Sequence, residues 1–368
     1  MVGCEVQNPT NLPIKEDGTT TLTSSEFNTL NTTVNLNAID LQDRLYETDQ
    51  RDIRLEDTQT SQVKRYSTPD LPNNKVDGTV SFDTSMEIPV YSQLGLWYRC
   101  SDDVSVSNLP EVDLFLTMGQ SNADGKADIN NLDPVLAALD RSDILAYLSG
   151  VDTSNNNTFI PGTWDPMVVG VNTANVSNRF GPEVGFADTV KQLPNDLDYT
   201  NPLALMKYAK GGTKLATVWD SDFADNFMYE GLLKALPDSK FKLGQAGYKF
   251  NIKGLIWYQG ESDSSNQDDA DNYQANLTAL LTDIRTRLLT PLLPVVICKV
   301  SYEAGSEPTY LTEVRAAQQA TADADPNIGI IDTLPYSKRD VVHLDAAGMY
   351  QLGVDIVPIM RNAINGTA

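Results

Sequence analysis

The sequence is poor in several residue types, and each scarcity excludes a class of protein. The 368 residues include one histidine and three cysteines. A histidine-based zinc site needs more than one histidine, and three cysteines far apart in the chain cannot form a disulfide framework. No apolar run approaches the roughly 20 residues that a membrane-spanning helix requires. We therefore expect no histidine-based zinc site, no disulfide framework and no transmembrane helix.

Basic residues are also scarce. Lys and Arg number 27 against 50 Asp and Glu, so the formal net charge is −23. A surface of that sign repels phosphate backbones and anionic lipids, which argues against nucleic acid or membrane as a partner. The first 16 residues lack the basic start and apolar run of a signal peptide, so any export is expected to use another route.

The first 66 residues are predicted to form two regions without a core of their own. Residues 1–23 are polar and rich in Thr, Asn and Pro, which indicates a flexible or docking segment. Residues 24–66 contain a long stretch, Phe27 to Gln62, with no Gly or Pro and a weak heptad pattern. This pattern favours a helical stalk that forms a parallel homo-oligomeric coiled coil. The alternative is a disordered acidic linker.

Residues 67–109 are predicted to form a small β module. Gly78–Asp83 and Glu87–Arg99 combine β-prone residues with turn residues, which is typical of short strands. The module contains three large aromatic residues close together: Tyr91, Trp97 and Tyr98. We interpret this cluster as the core of the module, with sugar stacking as the alternative.

The stretch GTVSFDTSMEIPVYSQLGLWYRCSDD, which begins at Gly78, resembles a short β module that recurs in bacteriophage tail fibre and tailspike proteins. That module is often found beside trimeric coiled coils. The resemblance covers some thirty residues. It implies that the chain is part of a homotrimeric virion appendage.

From residue 110 to residue 368, apolar stretches alternate with helical stretches. Strands are predicted at Leu114–Met118, Leu203–Tyr208, Gly254–Tyr258, Leu293–Val300 and Ile328–Ile331. Helices are predicted at Val135–Leu148, Glu183–Leu193, Asn272–Leu289, Tyr310–Ala322 and Ala346–Asn362. This alternation is typical of a parallel sheet covered by helices on both faces, so one α/β domain is predicted. Its segment Gly150–Asn178, rich in Asn and Thr, is predicted to be a long functional loop.

Ser121 is a candidate nucleophile because of its place after a predicted strand. It follows Gly119 at the end of Leu114–Met118, between the amides of Gln120 and Asn122. Open α/β sheets collect their reacting groups at the carboxyl ends of strands. A plain strand-to-helix turn would have the same composition, so this stretch alone does not identify a catalytic serine.

The single histidine, His343, follows Asp340 by three residues. An isolated histidine is commonly structural. This spacing, however, allows the carboxylate to hold one imidazole nitrogen while the other takes a proton from a hydroxyl. Ser121 would supply that hydroxyl, which gives a candidate triad of Ser121, His343 and Asp340.

Two more predicted strand ends could stabilise an oxyanion. Gly211 follows Leu203–Tyr208, and a glycine lets a backbone N–H approach a substrate closely. Gln259 lies at the tip of Gly254–Tyr258 and carries a side-chain amide. Ordinary turns would also explain each of these residues on its own.

Taken together, four blocks resemble the SGNH/GDSL hydrolase superfamily. They are MGQSNADG at 118–125, KGGT at 210–213, WYQGESD at 257–263 and DVVHLDAAG at 340–348. More narrowly, they are similar to its sialate O-acetylesterase-like carbohydrate esterases, as are NRFGPEVGFA at 178–187 and VRAAQQA at 314–320. The resemblance implies a three-layer α/β/α domain of flavodoxin-like type that works without a metal or organic cofactor.

The resemblance also implies roles for the residues of these blocks. Ser121 would be the nucleophile, His343 the general base and Asp340 the acid that orients it. The backbone N–H groups of Ser121 and of Gly211, or its neighbour Gly212, would hold the oxyanion.

For the third donor the sequence departs from the family pattern, because the superfamily's third block usually supplies an Asn and this block has Gln-Gly-Glu. Gln259 is the candidate here, while Glu261 could instead organise its loop. Asn122 and Arg179 are candidates for binding substrate or supporting the site. Glu183 could border the site, or it could simply start a helix.

These expectations combine into one functional hypothesis. The protein would be a virion-associated O-acetylesterase that removes acetyl groups from the capsule or O-antigen of a host bacterium during adsorption. Its partners would be that surface polysaccharide, two further copies of the chain and other tail proteins. The alternatives are a glycan-binding adhesin with an inactive esterase fold and a purely structural fibre segment.

Overall fold

The computed structural model describes residues 109–155, 157–192 and 201–368, together with the backbone of four strands between residues 65 and 99. The chain divides into two units. The smaller comprises the residues up to Glu111 with Lys240–Phe250, and the larger comprises Val112–Ser239 with Asn251–Ala368. The predicted docking segment at 1–23 lies outside the described residues, and so does the predicted stalk except for its last two residues.

In the smaller unit, four short strands form one sheet. They are β1 (Arg65–Tyr66), β2 (Val80–Asp83), β3 (Ile88–Gln93) and β4 (Leu96–Arg99). β1 pairs parallel to β2, and β2–β3 and β3–β4 pair antiparallel. Strands are therefore present where the small β module was predicted. Arg65 and Tyr66, placed at the end of the predicted stalk, pair with this sheet instead.

The larger unit contains the central sheet and a small ribbon, apart from the first residue of β5 and the first two residues of β12, which are assigned to the smaller unit. In chain order its strands are β5 (Glu111–Gly119), β6 (Ala127–Asp128), β7 (Leu145–Asp152), β8 (Thr158–Ile160), β9 (Trp164–Pro166), β10 (Arg179–Phe180), β11 (Leu203–Ala209), β12 (Lys249–Tyr258), β13 (Val295–Lys299) and β14 (Ile328–Asp332). The central sheet has the order β14-β13-β12-β5-β11-β7-β8, with β9 also paired to β7, while β6 and β10 form the ribbon.

The position of β5 within the sheet indicates where a ligand would bind. β5 pairs parallel to β11, which pairs parallel to β7, and β12, β13 and β14 are parallel to one another. From β5 the chain builds β7 and β11 on one side and then crosses to β12 on the other. Strand order thus reverses around β5, and open α/β sheets bind ligands at the carboxyl ends of strands at such a switch point.

Helices flank this sheet, as a mostly parallel sheet requires. They are α1 (Ser121–Asp124), α2 (Pro134–Ala137), α3 (Glu183–Gln192), α4 (Phe227–Gln245), α5 (Gln267–Asp271), α6 (Tyr273–Arg287), α7 (Leu311–Asp323) and α8 (Ala346–Ile364). α3 and α8 approach closely because Gly185 and Gly353 leave no side chain between them; a Cβ on Gly185 would overlap the carbonyl of Tyr350. No helix in the described ranges is long and apolar enough to cross a bilayer.

The predicted α/β class with a mostly parallel sheet is confirmed, whereas one predicted helix is wrong. Of the helix predicted at Val135–Leu148, only Pro134–Ala137 is helical, and β7 begins at Leu145. The turn between them is fixed by Arg141, whose guanidinium is buried against Asp188. The predicted long loop Gly150–Asn178 is also wrong in part, because it contains the end of β7 and the strands β8 and β9.

Candidate active site

The structure brings Ser121, His343 and Asp340 together. Ser121 begins α1 directly after β5, and the other two residues lie in the loop between β14 and α8. His343 Nε2 is 3.0 Å from Ser121 Oγ, and His343 Nδ1 is 2.9 Å from Asp340 Oδ2. Both are hydrogen-bond distances. The order of contacts is the one needed to move a proton from the serine hydroxyl to the imidazole.

The position of Ser121 depends on the glycine before it. Gly119 has φ +138°, a region that L-residues rarely adopt, and a Cβ there would overlap the carbonyl oxygen of Tyr258. The same carbonyl accepts a hydrogen bond from the N–H of Gln120 at 2.9 Å. The chain therefore turns sharply against β12, and Ser121 projects at the tip of β5.

Asp340 is held in its charged form by its own loop. Its Oδ1 accepts hydrogen bonds from the backbone N–H groups of Val342 at 3.1 Å and His343 at 2.8 Å. Partial burial acts to raise the pKa of Asp340, but these bonds and the imidazole outweigh it and lower the pKa below its usual value. The carboxylate is thus available to stabilise an imidazolium.

Two backbone N–H groups are placed to receive an oxyanion. A Cβ built on Gly211 would lie 3.4 Å from Ser121 Cβ, so the backbone of Gly211 borders Ser121. Among the described residues, no protein acceptor binds the N–H of Ser121 or of Gly211. Gly212 has φ +76° and lies beside open space, so it is the more distant candidate.

The structure does not place Gln259 as the donor that the family pattern implies. Its side chain is fully buried, and its Nε2 lies 2.5 Å from Asp263 Oδ2, 3.0 Å from Thr213 O and 3.3 Å from Gln120 Oε1. Both amide hydrogens are therefore used inside the protein. Through Thr213, Gln259 instead supports the loop that carries Gly211.

Asp263 is a supporting residue that the sequence did not single out. Its buried carboxyl accepts hydrogen bonds from the N–H groups of Leu215 and Ala216, both at 3.0 Å. Burial raises the pKa of Asp263 to about 6, although these bonds and the amide of Gln259 oppose the rise. Asp263 thus anchors the far end of the Gly211 loop. Its place at the end of the WYQGESD block was the available signal.

Gln120 offers the amide that Gln259 does not. Gln120 Oε1 accepts from the N–H of Ser262 at 3.2 Å and from Gln259 Nε2. No acceptor among the described residues binds its Nε2, and Gln120 lines the cleft next to Ser121. Its amide hydrogens are therefore left for a ligand.

The cleft beside the triad has a volume of about 520 Å³. It is lined by Gln120, Ser121, Lys126, Gly211, Gly212, Glu261, Ser262, Ser265, Tyr302, Pro308, Val342 and His343. A volume of this size is typical of small-molecule sites. Lys126, Tyr302 and Pro308 lie in loops without a recognisable motif, so the sequence alone does not identify them as lining residues.

Comparison with known proteins decides the family. A family model described as carbohydrate esterase, sialic acid-specific acetylesterase, matches residues 111–361. The chain belongs to this family. It is therefore a carbohydrate acetylesterase, a kind of carboxylic ester hydrolase.

Three similar proteins have sequence identities of 18% to 28% to this esterase. A probable carbohydrate esterase of Arabidopsis thaliana is 28% identical over 265 residues, which cover 68% of this chain and 90% of the plant protein. The crystal structure of an Arabidopsis thaliana protein shares the fold, with a TM-score of 0.51 and 24% identity over 68% of this chain and 98% of that one. A carbohydrate acetylesterase from Xanthomonas citri gives a TM-score of 0.49 and 18% identity over 76% of this chain and 61% of that one.

Two of the predicted site residues of the esterase lie away from the cleft. Arg179 pairs with Asp128 at 3.1 Å and donates to the carbonyl of Lys126 at 3.2 Å, which ties β10 to β6. Glu183 is buried in an ion pair with Lys207 at 2.8 Å, in the first turn of α3. Neither residue lines the cleft.

Proposed function

We propose that this esterase removes acetyl groups from carbohydrate by a Ser-His-Asp mechanism with Ser121 as the nucleophile. The observation that carries the proposal is the 3.0 Å contact between Ser121 Oγ and His343 Nε2. It is supported by the contact between His343 and Asp340, and by the cleft that opens beside Ser121.

In the first half of the reaction, His343 Nε2 takes the proton from Ser121 Oγ as this oxygen attacks the carbonyl carbon of the acetyl ester. The carbonyl oxygen becomes an oxyanion, which the N–H groups of Ser121 and Gly211 and the Nε2 of Gln120 stabilise. Asp340 stabilises the imidazolium that forms. His343 then gives its proton to the departing sugar oxygen, which leaves Ser121 acetylated.

In the second half, His343 takes a proton from a water molecule that attacks the acetyl-serine carbonyl. The same donors hold the second oxyanion. Collapse of this intermediate returns the proton from His343 to Ser121 Oγ and releases acetate.

The mechanism is tested by Ser121→Ala in an assay with a chromogenic acetyl ester. We expect kcat to fall on the order of 10⁴- to 10⁶-fold, as when a triad nucleophile is removed. Ser221→Ala, at an exposed serine, is the matched control and should retain activity. An inactive wild-type protein would contradict the proposal and favour the adhesin alternative.

We further propose that the N-terminal region places the esterase on a bacteriophage tail, where it would deacetylate the capsule or O-antigen of the host. The similarity of Gly78–Asp103 to tail fibre modules and the weak heptads support this proposal. Mass spectrometry of host polysaccharide before and after treatment would test it. Loss of acetyl groups from that polysaccharide is the expected result, and unchanged polysaccharide from candidate hosts would count against it.

A further inference from the structure

Asn122 lies directly after the nucleophile, is fully buried, and does not line the cleft. Its side chain contacts the backbone on both sides of the catalytic histidine. Asn122 Nδ2 donates to the carbonyl of Val342 at 3.2 Å, and the N–H of Leu344 donates to Asn122 Oδ1 at 3.2 Å. One amide therefore brackets His343.

Glu261 occupies the remaining hydrogen-bonding capacity of this amide. Asn122 Nδ2 donates to Glu261 Oε1 at 2.9 Å, and both side chains are buried. The backbone of Glu261 is held in turn by Tyr302, whose hydroxyl donates to its carbonyl at 3.1 Å. The carboxyl of Glu261 thus fixes which way the Asn122 amide faces, with its oxygen towards Leu344 and its nitrogen towards Val342.

The triad contacts alone do not fix the histidine loop relative to the nucleophile. Asp340 lies in the same loop as His343 and moves with it, and its side chain is 41% exposed. Other hydrogen bonds join this loop to the rest of the larger unit, at Thr333, Tyr336, Arg339 and Val341. The two nearest to His343 in sequence run from Glu303 N–H to Val341 O and from Arg339 Nη1 to Lys126 O, both at 2.8 Å. None of these bonds involves Val342 or Leu344, the residues that flank His343. Asn122 bonds to both of these residues, and it is bonded covalently to Ser121.

We propose that Asn122, oriented by Glu261, is a positioning residue that holds His343 at hydrogen-bond distance from Ser121. Asp340 fixes the orientation of the imidazole ring relative to its loop. Asn122 fixes the position of that loop relative to Ser121. The inference rests on the proposed Ser-His-Asp mechanism. A displacement of about 1 Å at a reacting group can cost on the order of 10²-fold in rate, so a single buried amide is enough to matter.

Asn122→Ala is the first test. We expect kcat per active site, counted with a serine-directed phosphonate, to fall about 10²-fold, with KM unchanged because Asn122 does not line the cleft. Asn327→Ala is the matched control. Asn327 is also largely buried and its Nδ2 donates to the carbonyl of Ala363 at 2.9 Å, but it lies at the start of β14. Its loss should affect stability and leave kcat unchanged.

The single histidine gives a second readout that does not depend on activity. Protein labelled with ¹⁵N-histidine has one pair of ring nitrogen signals, from His343. Their chemical shifts report the tautomer and its hydrogen bonds. We expect these shifts to change in Asn122→Ala and to stay unchanged in Asn327→Ala. Unchanged shifts together with unchanged kcat in Asn122→Ala would overturn the proposal.

The double variant Asn122→Asp with Glu261→Gln exchanges the donor and the acceptor of the Asn122–Glu261 contact. It separates the effect of hydrogen bonding from that of packing, and it can be measured even where Asn122→Ala fails to fold. Asn122→Asp keeps an acceptor for Leu344 but removes the N–H donor that bonds Val342 O and Glu261 Oε1, so kcat should fall at least as far as in Asn122→Ala. Adding Glu261→Gln restores a bond of opposite polarity and should recover about tenfold. No recovery in the double variant would argue against the Asn122–Glu261 contact. If the wild-type protein is inactive but the ¹⁵N shifts of His343 change in Asn122→Ala, the proposed function is contradicted. The positioning role of Asn122 is then still supported.

Discussion

At the scale of single residues, Glu261 is an unusual group in so acidic a protein, because its carboxyl is withdrawn from water. Burial raises the pKa of Glu261 to about 7, against the opposing hydrogen bond from Asn122. Its Oε2 has no hydrogen-bond partner among the described residues. The folded protein therefore favours the protonated form of this carboxyl, whereas the unfolded chain ionises it near 4.5.

This difference predicts a pH dependence of stability. The folded state holds the proton up to about pH 7 and the unfolded state releases it near 4.5, so the contribution of Glu261 declines as pH rises through that window. At about 1.4 kcal/mol per pKa unit, the full change is roughly 3 kcal/mol. Glu261→Gln imitates the protonated form and should gain stability relative to the wild type between pH 5 and pH 8.

Urea unfolding of both proteins at pH 5 and pH 8 measures this gain. Glu303→Gln, at an exposed carboxyl in a neighbouring loop, controls for the loss of one negative charge. A difference in unfolding free energy between Glu261→Gln and wild type that does not change with pH would show that Glu261 ionises at the same pH in both states.

At the scale of elements, the turn from β5 into α1 connects the separate parts of the site. The amides on either side of Ser121 reach across to other strand ends. Gln120 binds the N–H of Ser262 after β12, and Asn122 binds the loop before α8. The Gln-Ser-Asn order thus joins three loops at one turn, which accounts for the two amides on either side of Ser121.

The Nε2 of Gln120, for which the described residues offer no acceptor, should contribute to catalysis as a hydrogen-bond donor. Gln120→Glu keeps the acceptor for Ser262 and removes the donor that would face the oxyanion. We expect kcat to fall about 10²- to 10³-fold, the usual loss when one oxyanion donor is removed. Gln274→Glu on the exposed face of α6 is the control. Activity close to wild type in Gln120→Glu would leave the oxyanion to the two backbone N–H groups.

The site residues at the strand ends could be predicted from sequence because each follows an apolar stretch and lies in a block that resembles the family. The segment that became β7 could not be predicted as a strand, because its alanines and leucines suit a helix equally well. It is a strand because it pairs with β11 on one side and with β8 and β9 on the other. The role predicted for Gln259 differs from the contacts that its side chain makes, for a similar reason. Its partners Asp263 and Thr213 come next to it only in the fold.

At the scale of the whole molecule, the predicted trimer and its place on a virion remain predictions, since residues 24–64 lie outside the described part of the chain. The heptad pattern of the stalk is the feature that would join three copies. Light scattering of the full chain should give three times the mass of one chain. Removal of residues 1–64, which leaves β1 intact, should give a lower mass while leaving esterase activity per chain unchanged. A monomeric full chain would contradict the trimer.

One consequence of the cleft concerns how the enzyme could acquire a new substrate. Pro308 and Ser265 line the wall of the cleft but hold none of the hydrogen bonds that join Ser121, His343 and the Gly211 loop. Substitutions at these two positions can therefore accumulate without disturbing the chemistry. A lineage whose carbohydrate substrate changes its sugars has in this wall a surface that can diverge quickly while the residues around Ser121 stay the same.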